Sequence, residues 1–169
     1  MALFVWLSRS GVNAPLQLDA KSGWREIDWP LRVDPWWPKK AFTCDGRQCG
    51  QDLTLHVRVK VGFCNCETGV ADDAELDRIS DFGLLASKTA ALDSGEPVAV
   101  SWLKGRTRRY AIVDQRNGER VALLYGLNDR CDAVVATVLL APGARAEDAQ
   151  QTAVVRFLGS EPVLNWIKA

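Results

Sequence analysis

Four of the five cysteines in the 169-residue sequence lie close together, at spacings that suit three kinds of chemistry. They form a C-x4-C pair and a C-x-C pair on either side of a strand-like segment: Cys44, Cys49, Cys64 and Cys66. Thiols in an oxidising compartment form disulfides, and four thiolates can hold Zn²⁺ in a tetrahedral site. A C-x-C motif also suits Cu(I) or thiol–disulfide exchange. The cluster therefore predicts covalent bracing, a metal site or a redox site.

Disulfide bonds are the favoured interpretation of this cluster, because clustered cysteines suit an oxidising compartment better than a reducing one. A bridge inside the C-x-C pair would close a strained ring, so bridges between the two pairs are expected. Cys44 and Cys49 can also join across the turn DGRQ. The fifth cysteine, Cys131, begins an apolar segment and is expected to be a buried, unreactive thiol. We therefore expect no cofactor, with Zn or Cu at the cluster as the alternative.

Composition and motifs exclude several classes of protein. Lys plus Arg equals Asp plus Glu at 21 each, so the chain lacks the broad positive charge on which nucleic-acid binding depends. His56 is the only histidine, which excludes multi-histidine metal sites. The sequence contains no Ser-His-Asp arrangement, P-loop, Rossmann fingerprint or metalloprotease motif. These absences favour a protein without catalytic activity over an enzyme, and we expect no binding of nucleic acid.

The clearest element is the segment between the two cysteine pairs, DLTLHVRVKVGF over Asp52–Phe63. Apolar and polar residues alternate there, which predicts a half-buried antiparallel strand with one apolar face and one wet, basic face. The basic face carries His56, Arg58 and Lys60. These three residues are candidates for a weak anion- or partner-binding site. A solvated sheet face without a ligand is the alternative, and it is slightly favoured.

Further periodic segments predict a sheet with helices packed on it. The apolar spacing over Asp72–Leu85 predicts a helix with two carboxylates in its first turn. Strands are expected over four later segments: Pro97–Leu103, Arg108–Val113, Arg120–Tyr125 and Cys131–Leu140, the last nearly all apolar and therefore central. Helices are expected over Glu147–Leu158 and again from Pro162. This order predicts the α+β class, an antiparallel β-sheet with helices packed on it.

The first 40 residues differ in character from the rest of the chain. Four prolines and four tryptophans fall between residues 13 and 40 without a helical period, and a short strand is expected around Trp24–Trp29. We expect residues 1–40 to form an N-terminal apolar and Trp/Pro-rich arm, and residues 41–169 to form a single α+β domain. Aromatic residues in such segments are typical of binding surfaces. Five of them are the candidate partner-binding residues: Trp6, Trp24, Trp29, Trp36 and Trp37.

The apolar run MALFVWL over Met1–Leu7 is too short to span a bilayer. It has two interpretations: a signal or anchor that lacks its basic front end, or a strand or helical turn that docks on the domain. Together with the clustered cysteines, it favours an exported bacterial protein that is periplasmic or anchored to the periplasmic face of the inner membrane. Membrane association through the N-terminus would accompany this location.

Several segments resemble a family of uncharacterised exported proteins from alphaproteobacteria: FTCDGRQCG, GFCNCETGVADDAELDRI, LNDRCDAVVATVLL and FLGSEPVLNWI. The half of the chain from Val98 onward also resembles the Mog1/PsbP-like fold in its order of strands, a central apolar strand and a helix. That resemblance implies an α/β/α sandwich, in which an antiparallel sheet carries helices on both sides. It also implies an accessory or binding role without catalysis.

These observations lead to two expectations about function. The first is a non-catalytic, exported binding or accessory subunit of an envelope or membrane-associated assembly, with a protein or membrane complex as its partner. The alternative is a thiol-redox or metal-handling periplasmic protein that uses Zn or Cu at the C-x4-C and C-x-C cluster.

Overall fold

A computed structural model describes residues 13–31, 34–116 and 118–169, and one antiparallel sheet organises them. The strands, in chain order, are β1 Trp24–Ile27, β2 Lys39–Cys44, β3 Leu53–Lys60, β4 Ala86–Ala91, β5 Glu96–Val100, β6 Leu103–Asp114, β7 Glu119–Asp129 and β8 Asp132–Leu140. Their order across the sheet is β1-β2-β3-β8-β7-β6-β4, and β5 also pairs with β6. β3 and β8 are therefore interior strands, with a partner on each side.

Five helices accompany the sheet in the described residues, together with a single 3-10 turn at Ala20–Ser22. They are α1 Gly46–Cys49, α2 Asp73–Ile79, α3 Phe82–Leu85, α4 Asp148–Leu158 and α5 Glu161–Lys168. The two C-terminal helices form where the sequence predicts them. Helix α4 begins with a capping box, in which Glu147 and Gln150 satisfy each other's backbone N–H groups.

The first face of the sheet packs on α4 and α5. Leu55 and Val57 of β3 point to this side, since alternate residues of a strand share one face. The ring of Trp24 stacks on that of Phe157 from α4 at 4.4 Å between centroids, and Phe42 meets the same ring edge-on at 4.9 Å. These aromatic contacts hold the edge strand β1 and its neighbour β2 to the helical layer.

The second face of the sheet packs on α2 and α3. Leu76 and Ile79 of α2 are fully buried there. Their approach depends on Gly126 of β7, because a Cβ at that position would lie 2.6 Å from Leu76 Cδ1 and 2.8 Å from Ile79 Cδ1. Helices therefore cover both faces of an antiparallel sheet, and the predicted α+β class is confirmed.

The structure differs from the predicted elements in three places. The helix expected over Asp72–Leu85 is interrupted at Ser80, whose backbone is extended, so that α2 and α3 are separate. The strand expected over Pro97–Leu103 turns at Ser101, where φ is 55°, and it divides into β5 and β6. Strand β4 was not predicted, because its sequence ASKTAA is mostly exposed at the sheet edge and has no apolar alternation. The short strand expected around Trp24–Trp29 forms as β1, which pairs with β2 from Trp24 to Ile27.

Candidate binding site

An open cleft is lined by most of the large apolar side chains that are exposed in the part of the chain that the structure describes. Seven large apolar side chains are exposed there, and five of them line this cleft: Trp36, Trp37, Val61, Phe63 and Leu84. Trp36 is 66% exposed and Trp37 is 56% exposed, which is unusual for residues of this size. The cleft has a volume of about 460 Å³. We call it the aromatic cleft, and its contiguous apolar lining is typical of a binding surface.

The two walls of the aromatic cleft come from neighbouring strands. Trp36 and Trp37 precede β2, and a cis peptide bond joins Trp37 to Pro38. Val61 and Phe63 follow β3 on the opposite wall. Since β2 and β3 are antiparallel, the start of one lies beside the end of the other, and the carbonyl oxygen of Pro38 accepts a hydrogen bond from the Val59 N–H at 3.0 Å.

A buried chain of alternating charges lies beneath the aromatic cleft. Arg58 is at its centre, with Nη1 donating to Asp34 Oδ1 at 2.9 Å and Nε donating to Asp81 Oδ2 at 3.0 Å. Lys60 Nζ lies 2.9 Å from Asp81 Oδ1, and Lys39 Nζ lies 3.6 Å from Asp34 Oδ2. We call these five residues the ionic chain. It ties the segment before β2 and the start of α3 to the interior strand β3.

The central pair of the ionic chain, Asp34 and Arg58, stays charged despite its burial. Burial by itself would raise the pKa of Asp34, but hydrogen bonds from Arg58 and from the Trp36 backbone outweigh it and hold that pKa below its ordinary value. Burial would lower the pKa of Arg58, and the contacts with Asp34 and Asp81 raise it instead. Separating Asp34 from Arg58 would leave an uncompensated charge in the interior, which is strongly unfavourable. The contact therefore holds Asp34, and the cleft wall that follows it in sequence, in place against β3.

The expectation of a wet, basic face on β3 was wrong. His56 is 3% exposed and Arg58 is 2% exposed, because the segment around Trp29 and Asp34 covers that face. The ring of Trp29 meets His56 edge-on at 5.4 Å. Neither ring nitrogen of His56 has a hydrogen-bond partner among the described residues, and burial lowers its pKa to about 4.

Among the three predicted anion-binding residues, Lys60 alone lines the aromatic cleft with a side chain that is partly exposed, at 15%. Its Nζ also lies 5.4 Å from the centroid of the Phe63 ring. His56 does not line the cleft, and Arg58 lines its floor while engaged with two carboxylates. Anion binding stays a prediction. Of the three residues, the geometry leaves Lys60 as the one that could contact an anion in the cleft.

The five predicted partner-binding tryptophans have different environments. Trp36 and Trp37 lie in the cleft wall. Trp24 is buried in the core, so it is not available to a partner, and Trp29 is partly buried against His56. Trp6 lies outside the described residues. Partner binding by the Trp/Pro-rich segment therefore stays a prediction for two adjacent residues, Trp36 and Trp37.

The sequence did not predict Asp34, Asp81 or the apolar residues opposite the tryptophans. One signal was available: Arg58 and Lys60 occupy a strand that is apolar enough to be interior, where cations need carboxylate partners. The carboxylates lie more than 20 positions away from Arg58 on both sides, at separations of 24 and 23 residues. Nothing in their local sequence indicates that they converge.

The cysteines form two disulfides, Cys44–Cys49 and Cys66–Cys131, which confirms the predicted disulfide bonds. The expected bridges between the two pairs are not formed, and the expectation that Cys131 is a free thiol was wrong. The free, buried thiol is Cys64, whose pKa is raised by burial. Its N–H donates to the Cys131 carbonyl at 2.9 Å, so the C-x-C loop lies beside the start of β8. This pairing does not assemble a four-thiolate site.

The described residues contain no group of three or more His, Cys, Asp or Glu side chains that could hold a metal ion. None of the helices in these residues has the length and apolar character needed to cross a bilayer. Two disulfides fit an exported protein, since such bonds persist in oxidising compartments.

The fold and the site together define an α+β protein with helices on both faces of an antiparallel sheet and an aromatic cleft above a buried ionic chain. No family model matches the sequence, and no curated protein matches it. Among solved structures, the chain is similar to the solution structure of CyanoP, the cyanobacterial PsbP of Synechocystis. The TM-score is 0.41 and the identity 14%, over 85% of this chain and 88% of that one.

The chain is also similar to a STAR-related lipid transfer protein from Xanthomonas axonopodis. That comparison has a TM-score of 0.30 and 8% identity, and it covers 86% of this chain and 96% of the other. The resemblance to an alphaproteobacterial family of exported proteins stays a prediction.

Proposed function

We propose that this chain is a non-catalytic binding protein that serves as an accessory subunit of an envelope or membrane-associated assembly, and that the aromatic cleft is its binding site. The observation that carries this proposal is the concentration of five of the seven exposed large apolar side chains in one cleft. Exposed tryptophans supply large contact areas and are enriched where proteins bind their partners.

The ionic chain supports the same function. A binding surface needs walls that are already in place, because ordering them on association costs affinity. Arg58 anchors the wall that carries Trp36 through Asp34, and it anchors the start of α3 through Asp81. The cleft is therefore built on interior strand β3 rather than on an unsupported loop.

The location that we propose is the periplasm or the periplasmic face of the inner membrane, with the apolar run Met1–Leu7 as a membrane contact. The two disulfides support an oxidising compartment. Fractionation of cells that make the protein naturally tests this location. Recovery in the periplasmic fraction, or with membranes in a form that external protease digests in spheroplasts, is expected. Recovery in the cytoplasm would contradict it.

Site-specific photo-crosslinking in these cells tests the function of the cleft. A photo-activatable phenylalanine analogue replaces Phe63 in the cleft or, as a matched control, Leu92, which is also exposed but does not line the cleft. We expect a discrete adduct from position 63 and none from position 92. Equal adducts from both positions, or adducts from position 92 alone, would show that the cleft is not the binding site.

A further inference from the structure

The ionic chain beneath the cleft carries more cations than carboxylates. Its order is Lys39, Asp34, Arg58, Asp81 and Lys60, so a cation lies at each end. With three cations and two carboxylates, these five residues carry a net charge of one positive unit. Each carboxylate is shared between two cations. Buried charge without full compensation is unfavourable, and an anion placed at one end would complete the alternation.

The two ends of the ionic chain differ in access. Lys39 lies behind the cleft wall, with its Nζ 4.9 Å from the centroid of the Trp37 ring, and its side chain is 5% exposed. Lys60 lines the cleft itself. Its Nζ donates to the Ile79 carbonyl at 2.7 Å and lies 3.4 Å from the Ser80 carbonyl. The longer contact is the one that an incoming anion would replace.

The rest of the cleft suits an apolar group. Trp36 and Trp37 face it from one side, and Val61, Phe63 and Leu84 from the others. Its volume of about 460 Å³ lies within the range of roughly 300 to 1,000 Å³ that is typical of small-molecule sites. The floor of the cleft carries Arg58 and Lys60 beside the carboxylate of Asp81. Arg58 is engaged with two carboxylates, whereas Lys60 has Asp81 alone. Apolar walls above such a floor suit a ligand with an apolar body and an anionic end.

We infer that the aromatic cleft binds a free organic carboxylate, whose apolar body lies between Trp36 and Phe63 and whose carboxylate approaches Lys60. This inference rests on the proposed function, because it requires that the cleft be a binding site. It adds the chemical class of the ligand, because the positive charge of Lys60 at the floor of the cleft favours an anionic head group over a neutral one.

Three probes with one apolar body and different head groups test this inference: phenylbutyrate, phenylbutanamide and phenylbutylamine. Binding is measured by calorimetry and by the shifts of the indole N–H resonances of Trp36 and Trp37. We expect the carboxylate to bind roughly tenfold more tightly than the amide, as a charge-assisted contact with Lys60 would give. The amine, positively charged at neutral pH, is expected to bind most weakly. Added salt should lower the affinity for the carboxylate and leave the affinity for the amide unchanged.

Two variants identify the group that selects the carboxylate. Lys60→Met keeps the apolar stem and removes the charge, and we expect it to bind carboxylate and amide equally. Lys104→Met is the matched control, since Lys104 is exposed on β6 and does not line the cleft. This control should keep the wild-type preference. Circular dichroism of both variants confirms that they are folded.

The possible results separate the inference from the proposed function. Equal binding of amide and carboxylate by the wild-type protein would overturn the inference and leave the cleft as a binding site. If no probe binds but position 63 still crosslinks in cells, the inference is overturned, because the cleft then receives a partner polypeptide. If neither experiment detects an occupant, both the inference and the proposed function are wrong.

Discussion

Arg58 Nη1 lies 2.9 Å from Asp34 Oδ1, and this contact joins the segment that carries Trp36 and Trp37 to the interior strand β3. Arg58 Nη2 also donates to Asp34 Oδ2, so the guanidinium and the carboxylate meet through two parallel hydrogen bonds. The side chain of Asp34 is fully buried in this pair. The position of the cleft wall therefore depends on a buried ion pair.

Removing this carboxylate should destabilise the protein strongly. We expect Asp34→Ala to lower the free energy of unfolding by about 3 to 5 kcal/mol, because Arg58 keeps its charge and loses one of its two carboxylates in the interior. Urea denaturation followed by tryptophan fluorescence measures the change. The matched control is Glu75→Ala, which breaks the exposed pair of Glu75 and Arg78 and should cost less than about 1 kcal/mol. Equal losses in the two variants would contradict a structural role for the buried pair.

His56 should make stability depend on pH below neutrality. Burial lowers its pKa to about 4 from an ordinary value of 6.5, with Asp81 raising it and Arg58 lowering it further. The unfolded chain therefore binds a proton that the folded protein excludes between these two pH values. Stability is fully present above pH 6.5 and falls as the pH is lowered, by about 3 kcal/mol in total by the time it reaches 4.

The variant His56→Leu isolates this contribution. Both ring nitrogens lack partners in the described residues, so an apolar side chain should be tolerated at this position. Urea denaturation of wild type and variant is compared between pH 6.5 and about 5, above the ordinary pKa values of 3.8 and 4.5 at which aspartates and glutamates of the unfolded chain take up protons. We expect the wild-type stability to fall in this window and that of the variant to stay level. A parallel fall in both proteins would show that His56 is not the cause.

Thiol titration should find one free cysteine per chain. Without reductant, the native protein is expected to react slowly or not at all, because Cys64 is buried, and the denatured protein should show a single thiol. Cys64→Ser should abolish this thiol, whereas a protein with Cys131 free would keep it. Two or more thiols in the oxidised, denatured protein would contradict the observed pairing.

The two disulfides should contribute unequally to stability. The bridge between Cys66 and Cys131 spans 65 positions, whereas that between Cys44 and Cys49 spans 5. Because a longer closed loop restricts the unfolded chain more, loss of the first bridge should cost about 4 kcal/mol and loss of the second about 2 kcal/mol. Double serine variants of each bridge, compared by urea denaturation, measure the difference. A larger loss from the shorter loop would contradict this ranking.

Tryptophans in the core and in the cleft should differ in their effect on folding. Trp24→Ala removes the ring that stacks on Phe157, and we expect it to cost about 3 to 5 kcal/mol of the free energy of unfolding. Trp36→Ala should change it by about 0.5 kcal/mol or less, because the ring is mostly exposed. A large loss from Trp36→Ala would assign this residue to the fold rather than to binding.

The sequence predicts the sheet better than it predicts the site. Alternation in β3 and the apolar run of β8 depend only on local pattern, and both strands form where that pattern places them. The same pattern cannot show that β3 is an interior strand whose polar face is covered. The burial of His56 and Arg58 follows from chain segments that are distant in sequence.

The cleft and the disulfide pairing depend on contacts of the same distant kind. Trp36 and Trp37 were candidates for binding, but their neighbours Phe63 and Leu84 join them only because β2 and β3 are antiparallel and α3 follows a break at Ser80. The pairing of Cys66 with Cys131 likewise depends on the register that brings the start of β8 beside the C-x-C loop. Local spacing carries no information about either arrangement.

The central claim is that the aromatic cleft is the binding site, and its most direct test combines crosslinking with loss of one cleft wall. The photo-activatable residue is placed at position 63 in the wild-type protein and in the folded double variant Trp36→Ala, Trp37→Ala. We expect the adduct to form with the wild-type wall and to be lost from the double variant. An adduct of undiminished yield in the double variant would contradict the claim.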